Sequence, residues 1–334
     1  MLRFIVRRLL LLVPILLGLS IHVFGWIRAL PGSPAETLLG ERATPQLVEQ
    51  VRHQYGLDKP LPIQYWDYLK TVSSGNLGTS ITTFRPVTYE IRQRFPATFE
   101  LALGAMAFAI ALGIPLGFFA AKKYGSLFDQ ASLVGSLIGI SIPIFFLGLI
   151  LKYIFAVRLH WLPSIGREDI LATRAHPTGF FILDAIIESD PGALWDAIKH
   201  LILPVAAGAL GWIAWYSRFL RSSMLDVIHQ DYLRTARAKG LPERWVLYRH
   251  ALRNAVIPLV TLLALDLPYV ISGAVFVEML FAWPGMGRLF YQAAEQRDYP
   301  VLMGILIIGA GAIILSNLLA DILYAYLDPR VRYE

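Results

Sequence analysis

Six apolar runs, each close to or beyond the ~20 residues that a helix needs to cross a bilayer core, constrain this chain more than anything else in it. They lie at about Leu9 to Leu30, Thr98 to Ala121, Ala131 to Val157, Leu201 to Phe219, Val256 to Phe281 and Val301 to Leu323. A run of that length in lipid satisfies its backbone groups as a helix, so the sequence predicts an all-α integral membrane protein of about six spans. The whole composition agrees: 56% of residues are hydrophobic and 16% charged, with mean hydropathy +0.55. Cysteine is absent, which excludes a disulfide framework, a thiolate metal site and a cysteine nucleophile.

The first run follows Arg3, Arg7 and Arg8. It is longer than the ~7–15 apolar residues of a signal peptide and no small-x-small cleavage site follows it, so an uncleaved span is predicted. Six spans put both termini on one side. With an inside N-terminus, the inner segments (1–8, 122–130, 218–255, 324–334) hold about 15 Lys and Arg against about 6 Asp and Glu. The outer ones (28–100, 158–200, 278–300) hold about 14 against about 16, the bias of the positive-inside rule. Both termini are therefore expected in the cytoplasm.

Residues 31–97 form a small extracytoplasmic subdomain between the first helix (1–30) and the transmembrane region (98–330). Thr44 caps a short helix that has Pro45 in its first turn and Gly56 just past its end. A second helix runs from Pro62 to about Val72, with Tyr65, Trp66 and Leu69 as its apolar face. The segment from Leu159 to Lys199 carries Pro163, Pro177 and Pro191 and is expected to pack irregularly against the outer face.

The cytoplasmic loop 222–255 holds the basic stretch DYLRTARAKGLPERWVLYRHALRNAVIP, Asp231 to Pro258. Asp231 caps a helix through Tyr232, Arg234, Thr235, Ala236, Arg237, Ala238 and Lys239, and Gly240 stands where a left-handed residue ends it. Pro242 opens a second helix. Thr235, Ala236 and Ala238 permit close approach, Leu241, Trp245 and Val246 supply apolar contacts, and basic residues frame them. Such a helix-turn-helix fits a groove on a partner; a loop that only fixes topology and touches anionic headgroups is the alternative.

These residues resemble the EAA-type coupling loop of ATP-binding-cassette importer permeases. Arg234-Thr235-Ala236 stand at the E-A-A positions, with Arg234 replacing the acidic residue, and Gly240 stands at the motif's glycine, four residues after Ala236. The form RTARAKGL followed by RHALRNAVIPL is that of the dipeptide and oligopeptide branch. PGSPA, GLDKPLPIQY, GNLGTS, RFPATFELAL, SIPIFFLGLIL, FVEMLFAWPGMGRLF, RDYPVLMG and NLLADILYAYLDPRVRYE extend the likeness along nearly the whole chain, and TGFFILDA favours the dipeptide form. The resemblance implies a type I importer permease fold in a bacterial inner membrane. It implies a homologous second permease subunit, two cytoplasmic ATPases that bind ATP and Mg, an extracytoplasmic substrate-binding protein, surrounding lipid and a peptide cargo; no cofactor or nucleic acid is expected on this chain. It also implies that Tyr232 to Val246 dock on an ATPase and that the Trp283-Pro284-Gly285-Met286-Gly287 turn faces the binding protein, where an interfacial anchor is the other reading of Trp283.

Asp266 and Pro268 interrupt the fifth run, as candidates for the substrate pathway or for a structural hydrogen bond. Lys152 is expected to snorkel from the third span. The sequence has no G-x-x-x-x-G-K-[ST] loop, no H-E-x-x-H and no G-x-S-x-G, which speaks against an ATPase or a membrane enzyme. A proton-coupled carrier using Asp266 and His22, and nickel, haem or antimicrobial-peptide cargo, are the competing functions.

Overall fold

A computed structural model describes residues 14–22, 24–25, 44–172 except 55, 174–272 and 275–327. The secondary structure among them is helical; the β structure amounts to one antiparallel bridge, Thr79 with Pro86. After a helical stretch at 14–22 (α1) come α2 (Pro45–Gln54), α3 (Leu61–Ser73), α4 (Val87–Lys122), α5 (Leu127–Ser141) and α6 (Ile144–Leu151), which continues as π-helix over Lys152–Arg158. Then follow α7 (Phe181–Ile187), α8 (Pro191–Ile228), α9 (Asp231–Ala238) and three segments end to end, Glu243–Trp245, Val246–Ala251 and Leu252–Ala255, together α10. The chain closes with α11 (Ile257–Ser272), α12 (Val275–Leu280), α13 (Met286–Glu295) and α14 (Tyr299–Leu327).

Three described helices, α4, α8 and α14, are long and apolar enough to cross a membrane, and the α5–α6 pair makes a fourth if it is one bent span. The third run, Ala131 to Val157, is broken within its length. The chain turns by 102° between α5 and the α6 segment. Ile142 stands before Pro143, whose ring disfavours the helical region for its predecessor, and Ile142 is extended at φ −77°, ψ 123°. The fifth run is also divided, into α11 and α12, with 273–274 outside the described residues.

Helices α4 and α8 form the spine. Both outrun their apolar stretches: α4 begins at Val87, where buried Val87, Glu90 and Ile91 give it a packed first turn. Helix α8 begins at Pro191 because the Asp190 carboxylate accepts the Gly192 and Ala193 N–H groups. Those backbone bonds, led by Ala193, hold the Asp190 carboxyl below its ordinary range. The two helices meet at Gly113 and Gly117, a small-xxx-small face of the kind that lets membrane helices approach closely. A Cβ on Gly117 would collide with the Ser217 carbonyl oxygen and lie 3.1 Å from Leu220 Cβ. Gly117→Ala is accordingly expected to destabilise the protein by about 2 kcal/mol, read as a lower Tm in detergent; an unchanged Tm would show that the crossing relaxes freely.

The outer elements are pinned to this spine. In α2 and its flanks the Thr44 cap and the left-handed Gly56 (φ 63°) appear where the sequence placed them. The face of α3 differs in part: Trp66 is exposed, while the expected Tyr65 and Leu69 pack together with Gln64 and Tyr68. Phe24, beyond α1, lies 5.4 Å from the Tyr65 ring and 5.8 Å from Tyr68, and Tyr65 Oη shares a 2.8 Å hydrogen bond with Ser20. The loop 159–199 is held by Arg167, which pairs with Glu100 of α4, donates to Gly179 O at 3.0 Å and stacks 3.7 Å over the Phe181 ring.

Candidate functional site

The helix pair α9–α10 is rooted in the membrane domain and exposed at its tip and along one side of each arm. Helix α9 starts after Gln230, with Asp231 as its first residue rather than its cap; Asp231 accepts from Arg234 instead. Lys239 ends the helix and Gly240 is left-handed at φ 75°, as the spacing predicts. Pro242 precedes the second helix. Arg237 bridges the two arms with a forked bond to Glu243, 3.1 and 3.0 Å, and its donation holds the Glu243 carboxyl below the ordinary range. Tyr232 Oη accepts from Asn254 at 2.8 Å, closing the far ends of the pair.

Two of the expected docking residues face inward. Ala236 and Val246 are buried with Leu233, Leu247, Ala251 and Ala255, in one cluster with Tyr216, Leu220 and Met224 of α8 and Phe118 and Ala121 of α4. They are the seam between pair and spans, not its contact face. The reason is periodicity: with Leu233 and Ala236 at i and i+3, the α9 apolar stripe is consumed by its own root. The exposed face consists of Tyr232, Arg234, Thr235, Ala238, Lys239, Gly240, Leu241 and Trp245, with Arg237 half-buried between them. Ser223 Oγ donates to Ala255 O at 2.8 Å, a further tie between α8 and α10. The pair, α8 and Leu259 at the start of α11 thus share one core.

Within the spans, Tyr216 of α8 is buried and donates to Asp266 of α11 at 2.8 Å. The structure thus supplies the hydrogen bond between neighbouring helices that was one of the two readings of Asp266. Pro268 sits in α11; its side chain lies outside the described residues. Beside these helices the α5–α6 bend leaves an apolar cavity of about 440 Å³, where Pro143 and Leu147 face Gly208, Gly211, Trp212 and Trp215 of α8. The sequence signal for the bend was the Ser-Ile-Pro triplet inside the third run. The Lys152 Nζ donates to Leu280 O at 3.0 Å and so ties the π-helical continuation of α6 to α12.

The turn after α12 also corrects the expectation. Trp283, Gly285 and Gly287 are buried and Pro284 half-buried, so this motif is packed inside the chain and offers little face to a binding protein. Trp283 Nε1 donates to Ala97 O at 2.7 Å. Glu278, 0% exposed, accepts from the Thr98 hydroxyl at 2.7 Å and from the Arg288 N–H at 2.8 Å, and Thr98 Oγ1 accepts the Met286 N–H at 2.7 Å. The sequence reading missed this knot, although a lone carboxylate seven residues before Gly285, at the end of an apolar run, was its available sign.

The comparisons with known proteins bear on the whole chain. Residues 113–333 match the family described as binding-protein-dependent transport system inner membrane component, and residues 1–102 match the N-terminal region of such membrane components. A dipeptide transport system permease protein of Alkalihalophilus pseudofirmus is 43% identical, with all of both chains covered. A di/tripeptide transport system permease protein of Pseudomonas aeruginosa is 45% identical over the full length of both, and a dipeptide transport system permease protein of Escherichia coli 42% identical, likewise in full. With a spine of apolar helices, a helix pair rooted in it and both halves of the sequence matched, the chain belongs to the family of inner membrane components of binding-protein-dependent transport systems.

Proposed function

We propose that this chain is one of two membrane subunits of an ATP-driven importer of dipeptides, with both termini and the α9–α10 pair in the cytoplasm. The observation that carries the coupling role is the pair's construction: an exposed Gly240 tip whose other face, Leu233, Ala236 and Val246, shares one core with α4 and α8. The homologous second subunit completes the pathway, two ATPases bind ATP and Mg, and an extracytoplasmic binding protein delivers the peptide. When ATP draws the ATPases together, a groove on one of them carries the tip, and the rigid pair transmits the movement to α8 and α11. Both ends then bias a single two-state element, which is what coupling requires. The α5–α6 bend and the Tyr216–Asp266 contact lie along the candidate pathway.

Dipeptide cargo is supported by the full-length relatives, whose names specify dipeptides or di- and tripeptides. The test is uptake of a labelled dipeptide into proteoliposomes holding the assembled transporter and its binding protein. Uptake is expected to require ATP, to be blocked by unlabelled dipeptides but not by nickel or haem, and to persist when an ionophore collapses the proton gradient with ATP maintained. Loss of uptake on collapse of the gradient would instead identify a proton-coupled carrier.

A further inference from the structure

The second arm of the helix pair carries a basic, ring-lined groove, of which Trp245 alone belongs to the exposed face described above. Arg244, Trp245, Tyr248 and Arg249 line a shallow, open groove on the surface of α10. All four side chains are exposed. Arg244 precedes the π-helical segment Val246–Ala251 and Arg249 lies within it, and both line the same groove. The Arg249 guanidinium lies 5.7 Å from the Trp245 ring. No carboxylate lines the groove: the neighbouring Glu243 is occupied on both oxygens by Arg237, and among the described residues neither Arg244 nor Arg249 has an ion pair. The groove is therefore a site of two uncompensated guanidinium forks beside two amphipathic rings.

Its position selects the occupant. Tyr248 packs its ring 4.5 Å from Phe118, one helical turn before the end of the spanning helix α4 at Lys122. Phe119, next to it, is exposed toward the surroundings of that span. The groove thus lies at the height where a bilayer's apolar core gives way to headgroups, where Trp and Tyr rings settle and where basic residues meet the anionic lipids of the inner leaflet. Arginine forks match phosphate oxygens two at a time. Arg244 and Trp245 follow Gly240 by four and five residues and Tyr248 reaches Phe118, so the groove runs from beside the tip toward the end of α4.

We propose that Arg244, Trp245, Tyr248 and Arg249 form a binding site for the phosphodiester headgroup of an anionic phospholipid, which anchors the second arm while the first engages the ATPase. This rests on the cytoplasmic placement of the pair and not on the cargo, so failure of dipeptide uptake would leave it standing.

The probe is quenching of tryptophan fluorescence by brominated lipids in nanodiscs containing the assembled transporter, with the Trp245 contribution isolated by subtracting Trp245→Phe. Brominated phosphatidylglycerol is expected to quench that contribution at least fivefold more effectively than brominated phosphatidylcholine at equal mole fraction. Arg244→Gln with Arg249→Gln should bring the two lipids to parity, and Arg244→Lys with Arg249→Lys, which keeps the charge, should retain most of the preference. Should the double glutamine variant fail to assemble, Arg249→Gln alone is expected to halve the preference. Parity in the wild type, or a preference that survives removal of the arginines, overturns the proposal. A preference abolished by millimolar inorganic phosphate would assign the site to free anions, and one seen only after the ATPases are stripped off would assign it to the ATPase; either result also overturns it.

Discussion

Gly240→Val is expected to cut dipeptide uptake at least tenfold and to uncouple ATP hydrolysis from substrate delivery, while the protein still inserts and assembles. Gly240 holds φ at 75°, and a Cβ there would meet nothing within 4 Å. The effect is therefore one of backbone conformation alone, with no steric clash to confuse it. A left-handed residue with a side chain costs about 1–2 kcal/mol, more for a β-branched one and least for asparagine. The ranking follows: Gly240→Asn should transport nearly as well as the wild type, Gly240→Ala should lose part of the rate, and Gly240→Val most of it. The tip is exposed while its root is buried in the spine, so valine is expected to reshape the docking face without unfolding the spans. ATPase stimulation by loaded binding protein, measured beside uptake in proteoliposomes, separates uncoupling from simple loss of transporter. Equal uptake by the asparagine and valine variants would remove the turn from the coupling route.

How much of this was legible in the sequence depended on whether the determinant was local. The Gly240 turn, the Thr44 cap and the left-handed Gly56 were read directly, because a capping residue or a positive φ is a property of a few neighbouring residues. The apolar runs announced α4, α8 and α14 for the same reason, although hydropathy could not show that α4 begins at Val87, since its first turns are polar in sequence yet packed. The direction in which each side chain of the helix pair points was not legible. Ala236 and Trp245 both look like contact residues, and only the position of α8 decides that the first is buried and the second exposed. Length made the third run count as one span, and hydropathy did not show the break, where Pro143 sets its predecessor extended and the chain turns by 102°. The WPGMG turn was misread most. A tryptophan, a proline and two glycines at the end of an outer span look like an exposed loop, and nothing near them in sequence shows that Thr98, on another helix, supplies the partner that draws them in.

That buried knot carries the second large effect. Gly285→Ala is expected to lower stability by about 3 kcal/mol or more and to lose most folded protein from the membrane. An added Cβ would sit 2.5 Å from both Glu278 carboxyl oxygens, closer than any such contact tolerates. The carboxyl has nowhere to retreat: it is fully buried and held by the Thr98 hydroxyl and the Arg288 N–H, so moving it strands two donors away from water. Glu278→Ala alone is expected to be harmful too, by about 2–3 kcal/mol, because it leaves those donors without an acceptor. The two changes act on one space, however. Combined, they should cost less than the sum of the single variants by at least about 1 kcal/mol, the sign of coupling between touching groups. Thermal unfolding in detergent followed by tryptophan fluorescence gives the comparison, with Trp283 reporting locally since its indole N–H is bonded to Ala97 O in the same cluster. If the losses simply add, the glycine is not there to make room for the carboxyl; if the double variant recovers, the motif exists to close the outer end of α12 over α4, and its place is in the framework of the transporter rather than on its docking surface.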